Sequence, residues 1–301
     1  MGRNNQILIT GKTGTVGSNL RFGFGYGREH DLRNFERTMH LIKGTKPEAI
    51  VHCAARVPSI GMADADRYAF FYDNLLINAN VIEAARQNAV PRVLSILSTW
   101  MLQDISIAPI AGLIHANEPL PVYLPYGYSK RILEVHSRMC YECFGLKYNS
   151  ILPTNIYGIN DNFNLSSGHV IAALIHKAYI AKKEDKEFLV WGDGAQHREF
   201  LFASDLAAII EWALEHYLDK EPLVVSNHVG VSIRQIATII AEYMGISNRF
   251  TFDERQPVGQ KNVRTQDHRL DSLWNFQFTP IESGIAQTID WFLAHYPNVR
   301  L

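Results

Sequence analysis

At 301 residues the chain is long enough for one large domain or two modest ones with a real core. Its 47% hydrophobic and 20% charged content is that of an ordinary globular protein, and a net charge of −1 removes any electrostatic reason to expect nucleic acid or an acidic membrane as partner. No apolar run reaches the length of a membrane span, Met1-Gly2-Arg3-Asn4-Asn5 enters a short strand rather than a leader, and three cysteines cannot make a disulfide framework, so a reducing, cytoplasmic setting is expected.

Gln6 to Thr10 reads as a short buried strand that runs into Gly11-Lys12-Thr13-Gly14-Thr15-Val16-Gly17. This is G-x-x-G-x-x-G between a strand and a helix start, the setting of a dinucleotide-binding turn. Small residues let the backbone approach a pyrophosphate, and the N–H groups of the helix start bind its charge. A glycine-rich turn without a ligand is the plain alternative. Residues 18–31 leave little room for a full crossover helix and a second strand, so the first βαβ unit is expected to be stunted. No acidic residue ends a clear second strand to grip a ribose 2′-hydroxyl, whereas Lys12 and Arg28 are cations placed to meet a 2′-phosphate. That leans toward NADP over NAD, although both cations also read as solvated surface charges.

Phe35 to Lys43 has the pattern of an amphipathic helix, Ala49 to Ala55 that of a buried strand, and Asp73 to Asn88 that of a helix with Leu76, Ala79, Asn80 and Glu83 at helical spacing. A buried strand from Val93 ends in hydroxyl residues at Ser98 and Thr99. Next comes a helix in which Tyr126 and Lys130, at i and i+4, share a face. An ammonium beside a phenol favours the phenolate, so the pair can exchange a proton with a hydroxyl or carbonyl oxygen near neutral pH, with Ser98 as a third hydrogen bond to that oxygen. Taken alone, Tyr-x-x-x-Lys is a weak signal. Cys140-x-x-Cys143 with His136 has the look of a metal or redox fragment, but no second pair closes a zinc site, and buried structural thiols are expected.

Tyr148 to Pro153 is a further strand, 160–168 a polar loop, His169 to Lys183 a helix, Phe188 to Gly194 a strand and turn, Ser204 to Tyr217 a core helix and Leu223 to Asn227 a strand. Ser232 with Gln235, and Thr279 with Glu282, look like capping boxes opening two more helices. Strands alternating with helices predict an α/β doubly wound parallel sheet of Rossmann type. Residues 1–157 with about 200–227 form the cofactor half, and 158–199 with 228–301 a smaller substrate domain walling a cleft.

An ordered series of motifs follows: Pro153-Thr154-Asn155-Ile156-Tyr157-Gly158, Asp161-Asn162-Phe163, Gly168-His169-Val170-Ile171, Leu174-Ile175-His176-Lys177, Val190-Trp191-Gly192 and Arg198-Glu199-Phe200. With the glycine turn and Tyr126-x-x-x-Lys130 it resembles the extended short-chain dehydrogenases, and within them the GDP-L-fucose synthase (GDP-4-keto-6-deoxymannose 3,5-epimerase/4-reductase) family. The resemblance implies epimerisation at C3 and C5 by a cysteine and a histidine, then reduction at C4 with NADPH. It matches His169 to the histidine, Ser98, Tyr126 and Lys130 to the reductase triad, and Lys177, Trp191 and Arg198 to residues that hold GDP. It also implies cofactor contacts from Gly11 through Gly17, Arg28, Asp31, Leu32, Ala54, Ala55, Tyr126, Lys130, Pro153 and Asn155, with Asn155 also facing substrate. A homodimer through helices including that of Tyr126 follows from the same likeness.

The chain departs from that pattern at three places. Ser98-Thr99-Trp100 stands where the family reads Ser-Ser-Cys or Ser-Thr-Cys, and an indole cannot exchange a proton at working pH. Val57-Pro58-Ser59-Ile60 and Gln256-Pro257-Val258-Gly259 replace two substrate turns. The expectation is therefore a nucleotide-sugar 4-ketoreductase whose epimerase half is lost or altered. Full fucose synthase activity, or a binding subunit without turnover, stand as alternatives.

Overall fold

The computed structural model describes residues 6–27, 29–58, 66–102, 113–247, 249–255 and 265–301. In chain order the elements are β1 (Ile7–Thr10), α1 (Thr15–Asn19), β2 (Phe24–Tyr26), α2 (Phe35–Thr45), β3 (Ala49–His52), α3 (Arg67–Gln87), β4 (Arg92–Ile96), α4 (Leu124–Phe144), β5 (Lys147–Pro153), β6 (Asn155–Tyr157), α5 (Val170–Glu184), β7 (Phe188–Trp191), β8 (His197–Phe202), α6 (Ala203–His216), β9 (Leu223–Val225), β10 (Gly230–Ser232), α7 (Ile233–Met244), β11 (Phe250–Asp253), α8 (Arg269–Leu273) and α9 (Ile281–His295). A single 3-10 turn, Thr99–Met101, follows β4.

Six strands form one parallel sheet in the order β2-β1-β3-β4-β5-β9. Because side chains alternate across a strand, neighbouring residues feed opposite faces. Leu8, Ile50, Val93, Leu152 and Val224 meet Ile42 of α2, Val81 and Ala85 of α3 and Leu133 of α4 on one side. Ile9, Val51, Leu94, Ile151 and Val225 meet Leu206, Ile209 and Ile210 of α6 on the other. Both faces are thus covered by helices, which is why these strands read as continuous apolar runs. A third core gathers Tyr157, Phe163, Ile175, Phe188, Ile236, Ile289 and Phe292. Around it lie the short sheets β10-β8-β6 and β11-β7.

The stunted first crossover is complete but minimal. A five-residue helix leads to the three-residue β2, which pairs with β1 through Leu8 and Phe24 and forms the sheet edge.

Two sequence expectations need correction. The helix expected over Asp73 to Asn88 begins earlier, at Arg67, and its buried face runs through Phe70, Asn74, Asn78, Val81 and Ile82. Asparagines are tolerated there because both are hydrogen-bonded: Asn74 to the Arg56 backbone, Asn78 to His52 and the Ser129 carbonyl. The second correction is Thr279, which does not cap α9. Its N–H and hydroxyl both donate to Asp205 on α6, so a tertiary carboxylate outcompetes the local helix end. The capping box at Ser232 and Gln235 forms as expected. No helix among the described residues is long and apolar enough to cross a membrane.

Candidate active site

The loop after β1 turns at Gly11, whose φ of 70° is in the left-handed region. A side chain is excluded twice here: a Cβ on Gly11 would stand 2.8 Å from the Ala54 backbone, and one on Gly17 2.3 Å from the Gly11 carbonyl oxygen. The turn therefore packs directly on the end of β3, where Ala54 N–H also donates to the Thr10 hydroxyl. Gly14 is the N-cap of α1 and brings no side chain to its first-turn N–H groups, a cradle that fits a diphosphate. Thr13 is exposed at the rim, and Ala55 and Val16 are half-buried beside it.

Lys12 behaves differently from expectation. Its ammonium donates to the Leu20 carbonyl at 2.6 Å and to that of Phe22 at 3.4 Å, closing the short crossover from inside. Burial lowers its proton affinity. A cation so engaged does not project toward a ribose phosphate. Its companion, Arg28, lies outside the described residues, as do Ser59, Ile60 and the turn Gln256 to Gly259. Asp31 is engaged with Arg33, and Leu32 is buried with its carbonyl accepting from Thr38 and Asn80.

The expected reductase residues Ser98, Tyr126 and Lys130 lie near the end of β4. Lys130 is buried, 2% exposed, and its Nζ donates to the Ile96 carbonyl at 2.7 Å. The same Nζ stands 5.7 Å from the centroid of the Tyr126 ring. Ser98 caps the 3-10 turn, its Oγ accepting from Trp100 N–H at 3.3 Å, so the hydroxyl proton is left to donate. Gly127 is required where it stands, since a Cβ there would meet the Trp100 carbonyl oxygen at 2.5 Å. Arg131 fastens the same corner by donating to the Met101 and Asn117 carbonyls.

Burial pushes the Tyr126 phenol up, not down, and pushes Lys130 down to about 8. The expected acidified phenol is corrected accordingly: the ammonium is bonded to the Ile96 carbonyl, 5.7 Å from the ring centroid, and desolvation dominates both groups. A neutral phenol is a proton donor, which is the form that reduction of a ketone consumes.

Sequence reasoning missed the network behind this pair. His52, fully buried at the end of β3, bonds Thr10 Oγ1 through Nδ1 at 2.8 Å and Asn78 Oδ1 through Nε2 at 3.0 Å. Asn78 then donates to the Ser129 carbonyl at 3.1 Å. The strand that carries the glycine turn is thereby tied to the Tyr126 helix. Burial and the nearby Lys130 charge hold His52 neutral, at about 3. The signal was present in the sequence as one histidine in an apolar strand and asparagines four apart on a helix.

Trp100 lies on the active-site side of this corner. Its indole stacks on Tyr123 at 4.3 Å and meets Tyr126 edge-on at 6.0 Å. Tyr123 in turn feels the charge of Arg198, itself half-buried on β8. Asn155 donates to the Glu199 carbonyl on that strand, and Pro153 ends β5 beside Val225. Lys177 on α5 places its ammonium 4.3 Å from the Trp191 ring centroid, so these two expected nucleotide-binding residues are brought together.

His169, the N-cap residue of α5, is not isolated. Its Nδ1 bonds Asp161 Oδ1 at 2.8 Å, and the same oxygen accepts from Thr15 of the glycine turn at 3.0 Å. The Asp161 charge raises the imidazole's proton affinity. Asp161 is fully buried, and its Oδ2 has no hydrogen-bond partner. No hydrogen bond or ring contact among the described residues joins His169 to the Tyr126 cluster.

Residues 26–226 match the model of the NAD dependent epimerase/dehydratase family. The chain is 34% identical over 310 residues to a GDP-L-fucose synthase of Dictyostelium discoideum, spanning 98% of this chain and 97% of that one. A crystal structure of a GDP-L-fucose synthetase from Naegleria fowleri superposes with a TM-score of 0.92 at 29% identity, covering 100% of this chain and 97% of that one. A crystal structure of a GDP-L-fucose synthetase from Naegleria fowleri bound to NADP superposes with a TM-score of 0.91 at 28% identity, covering 100% of this chain and 98% of that one.

Proposed function

We propose, from the premise that the chain belongs to the NAD dependent epimerase/dehydratase family on its GDP-L-fucose synthase branch, that it reduces the C4 ketone of a GDP-linked 4-keto-6-deoxy sugar with NADPH. The observation that carries this reading is the Tyr126 and Lys130 pair at the end of β4, buried and anchored to the Ile96 carbonyl. That is the strand edge where an open α/β sheet binds its ligands. The glycine cradle fits the cofactor's diphosphate, and the NADP-bound relative supports NADPH as its identity.

When bound, NADPH supplies a hydride. The Tyr126 phenol, kept neutral by burial, donates its proton to the C4 oxygen, while the Ser98 hydroxyl orients that oxygen. The Lys130 ammonium stabilises the phenolate left behind. Lys177 and Arg198 meet the substrate diphosphate, and Trp191, 39% exposed, offers its face to the purine. In this reading residues 1–157 with about 200–227 serve the cofactor, and 158–199 with 228–301 the sugar nucleotide.

Epimerisation is lost or altered because Trp100 occupies the cysteine position and no other thiol fills the role. Burial pushes Cys53 up to about 12. Cys140 stands fourteen residues beyond Tyr126 on α4, roughly 21 Å along the helix. One observation favours the alternative, full 3,5-epimerase/4-reductase activity: His169 keeps a carboxylate partner and can still take and return a proton.

Ile132, Val135, Met139 and Phe144 expose apolar surface on α4, as do Tyr68 and Tyr72 on α3, which supports a homodimer across these helices. The deciding experiment is product analysis with GDP-4-keto-6-deoxymannose in heavy water. Reduction at C4 without deuterium at C3 or C5 is expected. Deuterium uptake that His169→Gln abolishes would establish the alternative, and no NADPH consumption with any 4-keto nucleotide sugar would reject both.

A further inference from the structure

We infer that His228, His268 and Asp271 form a zinc site that staples α8 to the turn between β9 and β10. Their ligand atoms all lie within 4.8 Å of one another. His228 Nε2 is 3.4 Å from Asp271 Oδ2, and His268 Nδ1 is 2.9 Å from the same oxygen. Zinc bonds of about 2.0–2.2 Å at tetrahedral angles place neighbouring ligand atoms roughly 3.3 Å apart; the separations of 3.4 and 2.9 Å to Asp271 bracket that value, and the two imidazole nitrogens lie within 4.8 Å of each other.

The proton arrangement around His228 argues the same way. Thr265 Oγ1 donates its proton to Glu199 Oε2 at 2.8 Å and lies 3.4 Å from His228 Nδ1. With its proton spent on a carboxylate that is 1% exposed, the hydroxyl can only accept from Nδ1–H. His228 Nε2 is the ring nitrogen that faces the Asp271 carboxylate, where a cation can bridge the two. Glu199 and Thr265 thus stand behind the His228 ring where partners that orient a metal-bound imidazole are found. His228 also adopts a φ of 56°, a left-handed backbone that non-glycine residues seldom use. The cation competing with zinc is a proton on His228, and the experiment separates the two.

Full-length chain without an affinity tag, stripped by a chelator, is titrated with Zn²⁺ against a chromophoric competitor. One Zn²⁺ per chain is expected, with a rise in unfolding temperature. His268→Ala and Asp271→Asn, at positions 64% and 45% exposed, should each weaken binding at least tenfold and remove the thermal shift while leaving the metal-free unfolding temperature unchanged. Co²⁺ in place of zinc should give the visible absorption of a tetrahedral centre in the native chain and not in Asp271→Asn. The double variant Cys140→Ser/Cys143→Ser should keep full stoichiometry. Failure to bind Zn²⁺ would overturn the inference, as would binding unaffected by both site variants or binding lost with the cysteines.

Discussion

Replacing Lys130 with methionine should make the protein more stable and inactive at once. The ammonium is buried, and desolvation moves its pKa from 10.5 to about 8. That shift corresponds to about 3 kcal/mol by which the folded state disfavours the charged form. Methionine has similar length and no charge, so it removes this penalty. It also removes the charge-assisted bond to the Ile96 carbonyl, a loss of about 2 kcal/mol. The net gain is about 1 kcal/mol at pH 7. Because the folded pKa lies below the unfolded one, the native chain carries the whole penalty below about pH 8, and the penalty fades as pH rises toward 10.5. Urea unfolding of both proteins should therefore show a gap that is widest at neutral pH and shrinks between those values. Reductase turnover should be lost throughout. A Lys130→Met protein less stable than the native chain at neutral pH, or a gap indifferent to pH, would refute the claim that burial sets this lysine's proton affinity.

Tyr126→Phe should lower NADPH-dependent reduction by about 10²–10⁴-fold, as expected for loss of a general acid. Its unfolding temperature should stay put, because the ring contacts with Trp100 and Lys130 remain. Asp161→Asn keeps an acceptor for Thr15 but removes the charge that raises His169, so the imidazole pKa followed by NMR should fall. The raised pKa gives the native chain stability that is present below the unfolded histidine value and lost as pH rises through the folded one, so the variant's deficit should be larger in mild acid than in alkali. Gly17→Ala forces a Cβ to within 2.3 Å of the Gly11 oxygen. NADPH affinity by fluorescence titration should drop at least tenfold, with about 1–3 kcal/mol lost from stability.

The parallel sheet was legible because β1, β3 and β4 are buried on both faces and are written mostly in Ile, Val and Leu. The glycine turn was legible because its backbone approaches admit no other residue at Gly11 and Gly17. What escaped is where long polar side chains end. Lys12 sits in the dinucleotide motif, yet its four-carbon stem turns back to the Leu20 carbonyl, a direction that spacing does not record. Tyr126 and Lys130 were placed on one face correctly, but whether charge or burial governs the phenol depends on the Ile96 carbonyl, thirty-four residues away in the chain. Ser232 and Thr279 carry the same local capping signal; only the first finds no better partner, since Asp205 lies beside the second.

The substitution at Trp100 can alter one half of the family's chemistry without touching the other, for a reason visible in the backbone. Residue 100 serves the reductase corner through two main-chain groups: its N–H, which the Ser98 hydroxyl accepts, and its carbonyl, against which Gly127 packs. Either group is supplied by cysteine or tryptophan alike. The side chain goes elsewhere, onto Tyr123 and the edge of Tyr126, filling space in front of the proton donor. In the proposed reading, exchange at this one position takes away a proton-transfer group, while Lys130, Ser98 and Tyr126 keep supports that lie in β4, the 3-10 turn and the His52 relay. A chain that gave up epimerisation in this way would still hold a complete 4-ketoreductase site.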